Sequence, residues 1–451
     1  MTFYFCELGV VGDPGRGEVA ASVLLEVEGD RLVGVTPGSD LPDGAVVLPG
    51  VTLPGLANVH SHAFHRALRG RSEAGPGDFW TWREQMYAVA DRLDPESYSE
   101  LARALFAEMA LSGVTAVGEF HYLHHGPGGR PYSDANAMGH ALISAAGAAG
   151  IRITLLDTCY LKGGFDRELE GVQRRFGDGS AEAWAERADA LRAGPLALIG
   201  AAVHSVRAVD PVSIGPVAAW ASARGAPLHV HVSEQPAENE GCLAAHGRTP
   251  VRLLGDEGAL GSLTTAVHAT HLEPGDVRLL GSARTAICLC PTTERDLADG
   301  VGPARALADA GSPLCVGSDS HSVMDLFEEA RGIELDERLV RLRRGIHTPE
   351  ALLDAATQAG HRALGWSDAG RLAPGALADF VTVGLDSPRL AGTRPDAVVA
   401  SLVFAATAAD VTDVVVAGRR IVAAGRHQLV EDPVRSMRDA LTSLHDRAGE
   451  P

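Results

Sequence analysis

Histidines and carboxylates recur in this chain at spacings that suit a metal ion. His60 and His62 stand two residues apart in Asn58-Val59-His60-Ser61-His62-Ala63-Phe64-His65. Alternate side chains of a strand share a face, so two such imidazoles can reach one ion. A lone pair of this kind is common by chance, and the remaining ligands must come from elsewhere. Three later stretches offer them: His229-Val230-His231-Val232-Ser233-Glu234, Val267-His268-Ala269-Thr270-His271 and Gly317-Ser318-Asp319-Ser320-His321. Taken singly, His229 or His231 reads as a core histidine, Asp319 as a helix cap and Glu234 as a solvated loop residue. Jointly, three or four imidazoles and a carboxylate form a nitrogen and oxygen ligand set that suits zinc, with iron or another divalent ion as the alternative. A structural zinc usually closes its shell with thiolates, which these stretches lack, so a position for water is expected.

The elements that carry these residues alternate. From about residue 51, short apolar strands follow one another with helices between them. Val51–Leu56 leads into the first histidine pair. Further strands are expected at Val114–Phe120, Ile151–Cys159, Ala197–Val203, Pro227–Val232, Leu263–His268, Thr285–Leu289 and Pro313–Gly317. Asp94-Pro95 and Asp210-Pro211 place a cap and a first-turn proline at two helix starts. Eight β/α repeats predict a parallel (β/α)8 barrel over residues 51–370, in which chemistry sits at the C-terminal strand ends. The histidines and carboxylates fall at those ends. Residues 1–50 read as short β runs (Ala21–Val27, Arg31–Val35, Ala45–Leu48). Residues 371–451 return to a period of two at Ala376–Val383, Val398–Ala405 and Val411–Ala417, before a closing helix from about Asp432 to Asp446. The two terminal segments are expected to pair as one small β-sandwich.

Composition narrows the function classes. The 451 residues are 45% hydrophobic, with a formal net charge of -19, which argues against nucleic acid and anionic membranes as partners. Local arginines can still bind a small acidic substrate. The six cysteines form no CxxC pair and read as buried free thiols. No signal peptide and no membrane-spanning run is evident, so a cytoplasmic protein is expected. Lys162 is the single lysine.

The order of these residues, HxH on the first barrel strand, histidine on the fifth and sixth and aspartate on the eighth, resembles the amidohydrolase superfamily. Gly375-Ala376-Leu377-Ala378-Asp379-Phe380 and Val46-Val47-Leu48-Pro49-Gly50 are similar to that family's split β-sandwich. The resemblance implies that His60, His62, His231 and Asp319 hold the metal and that His268 is chiefly catalytic. Binuclear members bridge two metals with a lysine at the end of strand four. Here that strand ends Ala202-Val203-His204-Ser205, which implies a single ion. His231-x-x-Glu234 resembles the deaminase branch, where the glutamate shuttles a proton; His268 and Asp319 would orient the attacking water and take its proton.

Within that branch, Phe79-Trp80-Thr81-Trp82-Arg83-Glu84, Gly118-Glu119-Phe120-His121-Tyr122-Leu123-His124-His125, His204-Ser205-Val206-Arg207 and Cys290-Pro291-Thr292-Thr293-Glu294 resemble the formimidoylglutamate deiminases. This implies a dicarboxylate substrate whose formimino group is hydrolysed in histidine breakdown, and a homodimer is consistent with the family. Arg207 and Arg83 would grip the carboxylates, since a guanidinium binds them bidentately. Tyr122, His204 and His65 would complete the substrate site. The family usually carries glutamine where this chain has His65, and Phe327-Glu328-Glu329-Ala330-Arg331-Gly332 also differs. A related formimino or guanidino acid is therefore one alternative substrate, and a purine or other nitrogen heterocycle another. A metal-free binding scaffold is the remote third reading, disfavoured because all the ligands are present.

Overall fold

The computed structural model describes residues 1–71 and 79–446. Two eight-stranded sheets organise it. The first is parallel throughout and runs Leu56–Ser61, Val114–His121, Arg152–Cys159, Ala197–Val203, Leu228–Val232, Thr264–His268, Ala286–Leu289 and Leu314–Val316 in spatial order. A parallel bridge between Ser61 and Asp319 joins the last strand to the first, so the sheet closes into a barrel. Every residue of the first three strands is buried, which is why apolar residues occupy both of their faces rather than alternating with solvated ones. Gly317 marks the tightest approach at the closing seam. A Cβ there would lie 2.7 Å from the Cβ of His60 and 2.8 Å from its backbone nitrogen.

The helices between strands start where their caps indicate. Asp94 and Ser97 cap one another reciprocally at the head of Pro95–Leu111. Asp210 accepts from the Ser213 N–H and Pro211 opens the next helix, Pro211–Arg224. Among the described residues no helix is long and apolar enough to cross a membrane.

The second sheet is mixed and built from both ends of the chain. Its spatial order is Arg426–His427, Arg419–Ala423, Val411–Val416, Phe380–Val383, Val46–Pro54, Thr2–Val10, Val19–Glu28 and Arg31–Thr36. It encloses a small core in which Tyr4 meets Phe380 edge to face at 5.1 Å, with Leu25, Leu32, Leu48 and Leu372 around them. A buried ion pair, Arg152 Nε to Asp379 Oδ2 at 2.6 Å, ties the third barrel strand to the turn before Phe380.

Three elements differ from the sequence reading. Thr2–Val10 is a strand near the middle of this sheet, not marked above; its neighbours are Val46–Pro54 and Val19–Glu28. Val46–Pro54 belongs wholly to the second sheet, so the first barrel strand begins at Leu56, with Gly55 alone between the two sheets. Val398–Ala405, expected as a strand, is a helix. Its buried residues, Val398, Val399, Leu402 and Val403, repeat at helical spacing, and this packing overrides the β-branched composition.

Candidate active site and metal centre

Four side chains converge where the barrel closes. The Nε2 atoms of His62 and His231 lie 3.3 Å apart, and His60 Nε2 lies 3.0 Å from that of His231. Asp319 Oδ1 is 3.4 Å from the Nε2 of both His60 and His62. His62 Nδ1 faces the Phe120 carbonyl at 3.0 Å and His231 Nδ1 faces the His204 carbonyl at 3.0 Å. A carbonyl only accepts, so in each ring the proton sits on Nδ1 and the Nε2 lone pair points inward. Two lone pairs facing at this distance repel unless a cation lies between them. The spacing fits one, because tetrahedral ligands at about 2.0–2.1 Å from an ion stand roughly 3.3 Å from each other. Burial, followed by the charge of His60, pushes His62 down to about 3, and burial likewise holds His231 well below its usual range. Both rings are thus neutral, as ligands must be. The residues present fit a divalent metal ion, which His60, His62, His231 and Asp319 could hold.

His268 stands beside this group. Its Nε2 is 3.7 Å from Glu234 Oε1 and 3.8 Å from Asp319 Oδ2, and its Nδ1 is 3.3 Å from Glu294 Oε1. Burial alone would lower its pKa, but the negative charges of Glu234, Glu294 and Asp319 outweigh it and raise the imidazole to about 10. Burial raises Glu234 above the ordinary carboxylate range, while His268 and Arg207 pull it back. The backbone here is strained. Ser233, His268, Ala269, Asp319 and His321 all take left-handed φ, at roughly 1–3 kcal/mol each. Hydrogen bonds hold them there, for example Asp319 N–H to His60 O at 3.0 Å and Ala269 N–H to Val232 O at 3.1 Å.

A cavity opens over these groups, and Asp319, His231, Glu234 and His268 form part of its wall. The candidates His65, Arg83, Tyr122, His204 and Arg207 all line the same cavity. His65 Nε2 and the Tyr122 hydroxyl lie 3.0 Å apart. Arg207 lies 3.7 Å from Glu234 Oε2 through Nη2 and 3.4 Å from Glu238 Oε2 through Nε. Aromatic rings of Trp82, Tyr87, Tyr160 and Phe176 supply much of the remaining wall.

Other sequence candidates fall elsewhere. His229 is fully buried with its Nε2 on the Ala363 carbonyl at 3.0 Å, and His271 Nε2 donates to the Asp299 carbonyl at 2.7 Å. Lys162 pairs with Glu168 at 2.6 Å on the surface side of the fold. All six cysteines are buried free thiols. Two carboxylates at the site went unassigned above. Glu294, which follows the seventh strand, accepts from the Cys290 N–H at 2.9 Å and faces His268. Glu238 backs Arg207. Nothing local in the sequence marks either one, since each takes its meaning from a partner on another strand.

Comparison with known proteins agrees with this geometry. The amidohydrolase family model matches residues 51–421. The chain is 39% identical over 443 residues to a formimidoylglutamate deiminase of Pseudomonas aeruginosa, covering 95% of this chain and 97% of that protein. It is 31% identical over 417 residues to an 8-oxoguanine deaminase of the same organism, covering 88% and 86% of the two chains. The crystal structure of an amidohydrolase from Brucella melitensis superposes with a TM-score of 0.91 at 33% identity, covering 99% of this chain and 100% of that one. The chain belongs to the amidohydrolase family and is a hydrolase of carbon–nitrogen bonds.

Proposed function

We propose that this enzyme hydrolyses N-formimidoyl-L-glutamate to N-formyl-L-glutamate and ammonia, a step of histidine breakdown, with one zinc ion. The observation that carries this reading is the pairing of two arginines, Arg83 and Arg207, with the acid–base groups in one cavity. A dicarboxylate needs two such cations, and a neutral heterocycle does not. The likeness to a formimidoylglutamate deiminase over nearly the whole length supports it.

When bound, zinc would lower the pKa of a coordinated water from about 15.7 toward about 7 and so supply a nucleophile at neutral pH. Asp319 is placed to take up the proton of the attacking water, while His268, kept protonated by the carboxylates around it, orients the water and steadies the negative charge that develops. Glu234, kept protonated to higher pH by burial, gives a proton to the imino nitrogen and makes the formimino carbon electrophilic. Oxygen adds to that carbon, the carbon–nitrogen bond to the terminal nitrogen breaks, and ammonia leaves with the second proton. Arg207 and Arg83 hold the carboxylates, with Tyr122, His204 and His65 fixing the rest of the chain.

The aromatic wall supports a second reading, because Trp82, Tyr87, Tyr160 and Phe176 could stack a flat base as in a purine deaminase. One assay separates them. Ammonia release is measured with N-formimidoyl-L-glutamate, N-formimidoyl-L-aspartate and guanine, for the wild type and Arg207→Met. Turnover of the glutamate compound, with KM raised at least about tenfold in the variant, is the expected result. Turnover of guanine alone sinks the proposal; preference for the aspartate compound reassigns the substrate to a shorter acid.

A further inference from the structure

We propose that Glu119 is a positioning residue for the metal ligands, acting through a one-way hydrogen-bond chain that ends on its carboxylate. The inference rests on the metal-centre reading above. Behind the ligands, Asn58 Nδ2–H donates to Ser318 Oγ at 2.7 Å. Ser318 Oγ–H donates to His321 Nδ1 at 2.9 Å, and His321 Nε2–H to Ser61 Oγ at 3.2 Å. Ser61 Oγ–H then donates to Glu119 Oε2 at 2.6 Å, while Glu119 Oε1 accepts the Ala63 N–H at 2.6 Å. The direction is set at the Asn58 end: its Oδ1 accepts the Ser318 N–H at 2.9 Å, so its Nδ2–H must donate to Ser318 Oγ, which leaves the Ser318 hydrogen for His321 Nδ1, the ring's Nε2–H for Ser61 Oγ and the Ser61 hydrogen for Glu119. All five side chains are buried.

The members of this chain interleave with the ligands. Ser61 lies between His60 and His62, and Ala63 follows His62. Ser318 precedes Asp319, and His321 stands two residues after it. The pleat puts Ser61 on the face opposite the two histidines, so the brace grips the strand from behind. It spans the seam where the eighth strand meets the first, a contact that the sheet makes through the Ser61–Asp319 bridge. The left-handed φ of Asp319 (43°) and His321 (59°) must be compensated there, and the bonds from Ser318 and Ser61 do so. Glu119 thus joins the second strand to the first and, through the chain, to the end of the eighth, without lining the cavity. Partners of this kind, one shell behind a ligand, typically change metal affinity 10–100-fold, that is, by about one to two orders of magnitude.

The test uses the full-length zinc-loaded protein. Zinc affinity is measured by chelator competition for the wild type, Glu119→Gln and Ser318→Ala, together with kcat, KM and thermal midpoint. Both variants are expected to bind zinc about 10–100-fold more weakly, with KM at saturating zinc within about twofold of the wild type. Ser318→Ala removes one hydroxyl from the middle of the chain and keeps the test open if Glu119→Gln does not fold. Zinc affinities within about twofold of the wild type, even with a lowered thermal midpoint, overturn the proposal and leave a purely structural brace. A wild type that binds no stoichiometric metal overturns the metal-centre reading itself, and the proposal with it.

Discussion

Two buried clusters of histidine and aspartate lie on neighbouring strand ends of this barrel. One gathers His60, His62, His231, His268 and Asp319; the other gathers His121, His124 and Asp157. By residue type they are alike; ligand atoms lie within 4.8 Å of one another in the triads His60–His62–His231 and His60–His268–Asp319 of the first and in His121–His124–Asp157 of the second. What differs is the cation. In the first, imidazole lone pairs face each other, and the ion pairs of Asp319 among the described residues are with histidines. In the second, the Arg187 guanidinium fills that role. It spends all five donors: two on Asp157 at 2.9 Å each, two on Asp178 at 2.8 and 2.9 Å, and one on Asn136 at 3.1 Å. Asp157 also accepts from Trp184 Nε1 at 2.8 Å. Burial, then the charge of Arg187, pushes His124 down to about 4. The carboxylates of the second cluster are thus already satisfied by a guanidinium with no donor to spare, which argues against a metal ion there.

The largest expected effect follows from removing the carboxylate from each cluster. Asp319→Asn should leave less than about a tenth of the wild-type metal after dialysis and cut turnover by about 10²–10⁴-fold, the usual worth of a positioned acid–base group. Asp157→Asn should keep its metal. Metal analysis of the two purified variants decides the matter, and equal metal loss in both would erase the distinction between the clusters.

A smaller but still large effect is expected on stability. Arg187→Met leaves Asp157 and Asp178 buried without their cation, and breaking a buried pair in this way costs about 3–5 kcal/mol. Denaturant unfolding should show that loss while the metal content stays at the wild-type value. A variant as stable as the wild type would mean that the guanidinium is dispensable, and a variant that gains a second metal would show that it occupies a latent site.

The sequence made the first cluster legible and not the second. His60, His62, His231, Glu234 and Asp319 repeat one signal, a polar residue at the end of an apolar strand, and each strand end reinforces the others. His121 and His124 also sit at a strand end, and nothing near them in the sequence announces Arg187, which comes from the helix Ala181–Asp189. Glu119 and Glu294 were hidden for the same reason, since a carboxylate reads as a brace only once the donor facing it is known. In the fold, the cap and proline signals at Asp94-Pro95 and Asp210-Pro211 placed two helix starts correctly because those bonds are local. Val398–Ala405 misled because its composition is β-like, and its helical state depends on what it packs against. Residues 72–78, in the stretch after the first strand that carries Arg83, lie outside the described structure.

The smallest expected effect is the acid dependence that Asp178, beside the second cluster, gives to stability. Arg187 and His125 bond to Asp178, and although burial pushes its pKa up, these bonds hold the carboxyl far below its ordinary range. A depressed pKa in the folded state means that protonation favours the unfolded chain. The stabilisation is complete above the unfolded pKa of about 3.9 and is lost as pH falls toward the folded value, at about 1.4 kcal/mol per pH unit for one group. Asp178→Asn removes that term. The stability difference between wild type and Asp178→Asn, read from urea unfolding, should be level from about pH 7 to 5 and shrink by about 1 kcal/mol on reaching about pH 3. A difference that stayed level to pH 3 would show that Arg187 does not discriminate the charged from the neutral carboxyl. The guanidinium would then fill space in the second cluster without acting as its cation.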